Sequence, residues 1–168
     1  MVKYMNNQSP KRKRKNEDVK GSVFTFFSTA SAVGKTVLAV NYAADLAERG
    51  YKVCLADLDL QFGDVCNYLG IKPTQTFFDY YEQEENKRDT ASCMTETQFG
   101  FEVLAAPLEV DEGFIIDAET IVEAINQLRD DYDYILLDTT TGFTGISMAI
   151  LEQTDVLYLP CVVDFIPS

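Results

Sequence analysis

Residues 22–36 read Ser-Val-Phe-Thr-Phe-Phe-Ser-Thr-Ala-Ser-Ala-Val-Gly-Lys-Thr, and this stretch decides the fold. Its first half, Ser22–Ser28, is short, aromatic and β-branched, the composition of a buried strand. Its second half runs through small residues to Gly34 and predicts a loop. From Lys35 to Arg49 apolar residues recur at Leu38, Ala39, Tyr42, Ala43, Leu46 and Ala47, a helical stripe that Gly50 ends. A strand, a tight loop and an amphipathic helix together form the setting of a phosphate-binding loop. Small residues let backbone N–H groups turn inward around phosphate oxygens. The helix start adds a positive dipole end, Lys35 adds a full charge, and Thr36 offers a hydroxyl to Mg²⁺. The phosphate-holding set is therefore Ser31, Ala32, Val33, Gly34, Lys35, Thr36 and Val37. The match to G-x-x-x-x-G-K-[ST] is incomplete, since Thr29 stands where the first glycine belongs. The competing reading is a plain strand-to-helix turn with an incidental Gly-Lys-Thr.

Two carboxylate groups weigh against that competing reading. A second strand, Lys52–Asp57, runs into Asp57-Leu58-Asp59-Leu60-Gln61-Phe62-Gly63-Asp64, and a later one, Tyr134–Asp138, runs into Asp138-Thr139-Thr140-Thr141-Gly142. In a parallel sheet both clusters emerge on the edge that carries Lys35. Acidic groups beside a phosphate site require a cation between them, and Mg²⁺ is the usual one. Thr36 and the strand-end carboxylates Asp57, Asp59 and Asp138 are the candidates to face that cation. Turn chemistry after a strand is the bland alternative for each Asp taken alone.

The rest of the chain repeats the alternation. A short aromatic helix is expected over Thr76–Gln83, a strand over Phe101–Ala105, helices over Ala118–Arg129 and Gly145–Gln153, and a last strand over Val156–Val162. Strands alternating with helices predict an α/β fold: three layers, a mostly parallel sheet with helices on both faces. Such sheets bind ligands at the carboxyl ends of their strands.

Charge divides the chain in two. Its 168 residues carry 14 Lys+Arg and 27 Asp+Glu, a net of −13. Residues 1–20 hold a net of +5, which leaves −18 on the remaining 148. The first segment, with Lys11–Lys15 as an unbroken cationic block, is expected to be a solvated, mobile tail or linker. A contact with nucleic acid or an anionic membrane surface is its sharper alternative. The acidic body argues against binding duplex DNA, which needs clustered Lys and Arg. With 46% hydrophobic residues, the remainder can bury one full-sized core. No histidine is present, which excludes Ser-His and Cys-His nucleophile pairs and His-ligated metal sites. No apolar run reaches the length of a membrane span, and the basic start does not lead into the apolar stretch of a secretory leader. The expected location is cytoplasmic, with Cys54, Cys66, Cys93 and Cys161 as buried thiols.

SVFTFFSTASAVGKTVLAVNYAADLAERGYKVCLADLDLQFGD, then FEVLAAP, then DDYDYILLDTT resemble the MinD/ParA superfamily of deviant Walker-A ATPases. Within it, DLDLQFGD and the LAAP strand are most similar to the CpaE/TadZ branch of pilus-assembly localisation proteins. The resemblance covers residues 21–168, read as the N-terminal portion of a P-loop ATPase domain truncated at its C-terminus. It implies Mg-ATP held at the two-fold interface of a homodimer, pilus or secretion proteins as partners, and a place at the membrane or pole through them. By position, Asp59 would orient the attacking water, Asp57 would support the metal site, and Asp138 would hold Mg²⁺ through water. Family members carry a signature lysine, K-G-G-x-G-K-[ST], which reaches across the dimer; here Ala30, Ser31 and Ala32 replace Lys-Gly-Gly. The implied hydrolysis is therefore weak or absent unless another cation, Arg129 among the candidates, substitutes. The implied function is an ATP-dependent localisation scaffold. The alternatives are a ParA-like DNA-partitioning ATPase, a MinD-like cell-division-positioning ATPase and a metabolic P-loop enzyme.

Overall fold

The second strand sets the centre of the molecule: β2 (Val53–Leu58) is buried at every position, as expected of a strand covered on both faces. In this computed structural model, which describes residues 20–161, β2 lies in a sheet of six strands. The others are β1 (Ser22–Phe26), β3 (Met94–Glu96), β4 (Glu102–Leu104), β5 (Tyr134–Thr139) and β6 (Val156–Tyr158). Their order is β3-β4-β2-β5-β1-β6. Every pairing is parallel except β3 with β4. The expectation for the basic segment before residue 20 lies outside the described residues. The last strand, expected to reach Val162, ends at Tyr158, and residues 159–161 leave the sheet.

Alternation along each strand divides the core. Val53 and Leu55 of β2, Leu136 of β5 and Phe26 of β1 face α1 (Lys35–Glu48), meeting its Ala39, Val40, Ala43 and Leu46. Cys54, Ala56, Leu58, Ile135 and Leu137 face the other way, against α5 (Ala118–Asp131) through Ile121, Ala124, Ile125 and Leu128. Ile150 of α6 (Gly145–Glu152) and Phe77 and Tyr80 of α3 (Phe77–Glu82) complete that layer. The three-layer α/β architecture expected from the sequence is present. Arg129, in the last turn of α5, donates to the Gly21 and Gln153 carbonyls and pairs with Asp155 at 2.7 Å. It closes the edge of the sheet where the strands begin.

The structure adds two short helices and a strand, along with 3₁₀ turns at Glu85–Lys87 and Thr90–Cys93. α2 (Val65–Leu69) and α4 (Val110–Ile115) are too short for a periodicity to register, and local geometry fixes them. Gly70 ends α2 at φ 66°, and a reciprocal Glu109–Glu112 capping box opens α4. Gly113 of α4 lies so close to the β2 loop that a Cβ on it would sit 2.2 Å from the Leu60 carbonyl oxygen. β3 is an antiparallel edge strand on the otherwise parallel sheet, not itself read from the sequence, turned back by Gly100 at φ 85° and by Thr97, whose hydroxyl donates to the Phe101 carbonyl at 2.7 Å. The cysteine expectation also needs correction. Cys54 and Cys93 are buried, but Cys66 is half-buried on the short α2, and Cys161 is exposed beyond the edge strand β6. All four are free thiols.

Candidate nucleotide-phosphate site

β1 ends at Phe26, and the chain leaves the sheet through Phe27, whose N–H still donates to the Tyr158 carbonyl. Ser28 then tightens the turn: its hydroxyl accepts from Ala30 N–H and donates to the Ala30 carbonyl, both at 3.0 Å. Ala32 takes the left-handed region at φ 57°, and Gly34 follows at φ 87° as the residue before α1. No side chain caps α1, and its first turn holds no acidic residue. Its first N–H groups, with no partner inside the helix, thus face the loop beside Lys35, the arrangement that receives an anion. Ser31, Ala32, Gly34 and Val37 are exposed; Val33, Lys35 and Thr36 are half-buried.

Three strand ends meet this loop. Thr36 Oγ1 donates to Asp138 Oδ2 at 2.5 Å, and Lys35 Nζ donates to Thr141 Oγ1 at 3.1 Å. Asp138 Oδ1 is buried and has no hydrogen-bond partner. Asp57 and Asp138 stand side by side on paired strands. Burial, then the Asp138 charge, pushes the Asp57 carboxyl up to about 8, against the pull of two backbone N–H groups. Burial also pushes Asp138 up to about 6, opposed by its Thr36 hydrogen bond and by Lys35. Asp59 is raised by burial, opposed by the Phe62 N–H, by Lys35 and by the Thr140 hydroxyl.

An orphaned buried oxygen beside a threonine hydroxyl is a donor set that fits Mg²⁺. Among the described residues no three His, Cys, Asp or Glu side chains converge on one point.

Lys35, Thr36, Asp59 and Asp138 therefore converge, while Asp57 stands behind them with both carboxylate oxygens taken by the N–H groups of Asp59 and Val65. Arg129 is at the opposite edge of the sheet and supplies no cation here. On the Ala30 side the loop opens onto a cavity of about 610 Å³ bordered by Phe27, Val33, Phe143 and Leu159. The site also uses Ser28, which had not been singled out: it shapes the loop and accepts from Gly142 N–H through its carbonyl at 3.1 Å. Thr140 and Thr141, of the Thr-Gly segment that follows Asp138 in the sequence, reach Asp59 and Lys35.

A strand-loop-helix cradle at the carboxyl edge of a parallel sheet, with a Thr–Asp pair beside it, defines a P-loop nucleotide-binding domain. The sequence profile of the AAA domain family matches residues 22–166, and the chain belongs to this family, within the MinD/ParA superfamily of P-loop ATPases. The septum site-determining protein MinD of Helicobacter pylori is 33% identical over 132 residues, which make up 77% of this chain and 49% of the relative. The cell division ATPase MinD of Pyrococcus furiosus superposes with a TM-score of 0.74 at 26% identity, covering 83% of this chain and 59% of that one. MinD of Pyrococcus horikoshii, solved with Mg-ADP, shares the fold at a TM-score of 0.74 and 23% identity, over 83% of this chain and 57% of that one. The chain spans about half the length of the curated relatives it matches. Among the described residues no helix is long and apolar enough to cross a membrane.

Proposed function

We propose that the domain binds Mg-ATP, pairs with a second copy across the nucleotide, and serves as a localisation scaffold for a pilus or secretion machine, with slow or absent hydrolysis. One observation carries the nucleotide reading: Lys35, Thr36 and the unpartnered Asp138 oxygen meet at one loop. The N–H groups of residues 31–37 would cradle the phosphates, and Lys35 would leave Thr141 to neutralise their charge. Thr36 and Asp138 would hold the cation, with Asp57 behind them. Bound Mg²⁺ supplies charge neutralisation at the phosphates. Asp59, half-buried and held by Thr140, would orient the attacking water.

The scaffold reading is supported by DLDLQFGD and the LAAP strand, and slow turnover by Ala30 at the signature-lysine position. Association with the membrane or pole would come through partners. The relatives' names favour a second reading, a septum- or chromosome-positioning ATPase, while the acidic body disfavours DNA. Calorimetric titration of Mg-ATP into the chain and into Lys35→Ala tests the nucleotide reading. Saturable binding that the substitution abolishes is expected; equal affinity in the two proteins overturns it. Light scattering with a non-hydrolysable ATP analogue tests the pairing, and a monomer at saturation overturns it.

A further inference from the structure

The two aspartates one residue before the ends of β2 and β5 sit level in the sheet, yet their carboxylates are used differently. Asp138 spends one oxygen on Thr36 and leaves the other, buried, without a partner. Asp57 has no such spare oxygen facing a donor gap. Its Oδ1 accepts from Asp59 N–H at 3.2 Å and its Oδ2 from Val65 N–H at 3.1 Å. These amides bracket the loop that carries Asp59, one at its start and the other just past its end. Gly63, between them, lies on the carboxylate: a Cβ there would come within 2.7 Å of Asp57 Oδ2 and 2.3 Å of the Ala106 Cβ. Asp57 is 2% exposed, so water does not compete for these bonds.

We propose that Asp57 is a positioning residue: it clamps the 59–65 loop through two backbone amides and so places the Asp59 carboxylate, and it does not ligate the metal. The proposal rests on the nucleotide reading for its consequence in turnover, but not for the clamp. A carboxyl group suits the place whether charged or protonated. Either of its oxygens can accept, with the proton, when present, turned away on one of them, whereas an asparagine would turn an N–H₂ donor toward one of the two N–H groups. Gly63 is the other half of the clamp, because the loop closes on the carboxylate only without a side chain there.

The test uses Asp57→Asn, Asp138→Asn and Gly63→Ala in the whole chain, with three readouts. The first is affinity for a non-hydrolysable ATP analogue with and without Mg²⁺. Asp138→Asn is expected to abolish the gain from Mg²⁺, while Asp57→Asn and Gly63→Ala keep it to within about threefold. The second is hydrogen exchange at the Asp59 and Val65 amides, expected to quicken by about tenfold or more in Asp57→Asn and Gly63→Ala but not in Asp138→Asn. The third is the single-turnover rate of bound ATP, expected to fall in the two clamp variants at unchanged affinity. Loss of the Mg²⁺ gain in Asp57→Asn, or unchanged exchange in Gly63→Ala, overturns the proposal. Should Asp57→Asn fail to fold, Gly63→Ala decides it. If the wild type binds no nucleotide, the site reading fails, while the exchange comparison still decides the clamp.

Discussion

Lys35 Nζ donates to Thr141 Oγ1 at 3.1 Å, across 106 positions of chain. The lysine that would face phosphate is thus held by the segment that follows Asp138. Nucleotide must take it from that partner, so the hydroxyl competes with the ligand. Thr141→Val keeps the shape and removes the acceptor. Mg-ATP is expected to bind about threefold to tenfold tighter, the scale of the net contribution of one ordinary hydrogen bond. Calorimetry checks this, and weaker binding would mean that Thr141 contacts the nucleotide itself.

Ala30 is exposed at the mouth of an apolar cavity, where no cation from this loop can cross to a second copy. Ala30→Lys is expected to raise steady-state ATP turnover by about tenfold or more, as electrostatic stabilisers of a transition state do. A rate equal to wild type, at concentrations where the proposed pair would form, would remove Ala30 as the reason for expecting slow hydrolysis.

Ala32 occupies left-handed backbone, which costs an L-residue roughly 1–2 kcal/mol. Glycine relieves this strain but loses more unfolded-state entropy on folding, by about 0.5–1 kcal/mol. Ala32→Gly is therefore expected to stabilise the chain by about 0.5 kcal/mol, the difference of these terms. Urea unfolding checks it, and a loss of stability would show that the Ala32 methyl makes a contact worth more than the strain.

The buried aspartates give stability a pH dependence of unusual sign for carboxylates. An unfolded Asp titrates near 3.9. Folded Asp57 is pushed up to about 8 and Asp138 up to about 6. Between the unfolded and folded values the native state binds the extra protons, so without Mg²⁺ stability falls as pH rises from about 4 toward 8. Thermal melts from about pH 5 to pH 8 are expected to show a falling Tm, and Asp138→Asn to flatten the trend at its acid end. A Tm that rises over this range would refute the assignment of both aspartates as buried, charge-disfavouring groups.

What the sequence disclosed was local or periodic. The β1-loop-α1 unit reads directly, because an aromatic run, a string of small residues and a helical stripe follow one another without interruption. β2 and β5 read as apolar runs ending in aspartate, and their placing beside Lys35 follows from parallel pairing alone. α2 and α4 escaped because five or six residues carry too little period and neither has the aromatic cluster that marks the equally short α3, and β3 because an edge strand of three residues owes its existence to the turn at Gly100. The site shows the same division. Lys35, Thr36 and Asp138 are placed by strand ends and converge as expected. Whether Asp57 looks toward the cradle or toward its own loop depends on where residues 59–65 fold back, which spacing does not encode. Thr139 and Thr141 are indistinguishable in sequence, yet one donates to the Phe26 carbonyl and the other accepts from Lys35.

The close seat of Gly113 on the Leu60 carbonyl has a consequence for how this domain tolerates change. Any side chain at 113 would lift α4 off the loop that begins at Asp59, so helix and loop are a single mechanical piece joined at one bare backbone atom. The next two residues, Phe114 and Ile115, are 65% and 55% exposed and carry no such constraint. A saturation-mutagenesis profile across α4 would accordingly show one intolerant column at 113 beside two permissive ones, and the inheritance of Asp59's position would run through a residue with no chemistry of its own.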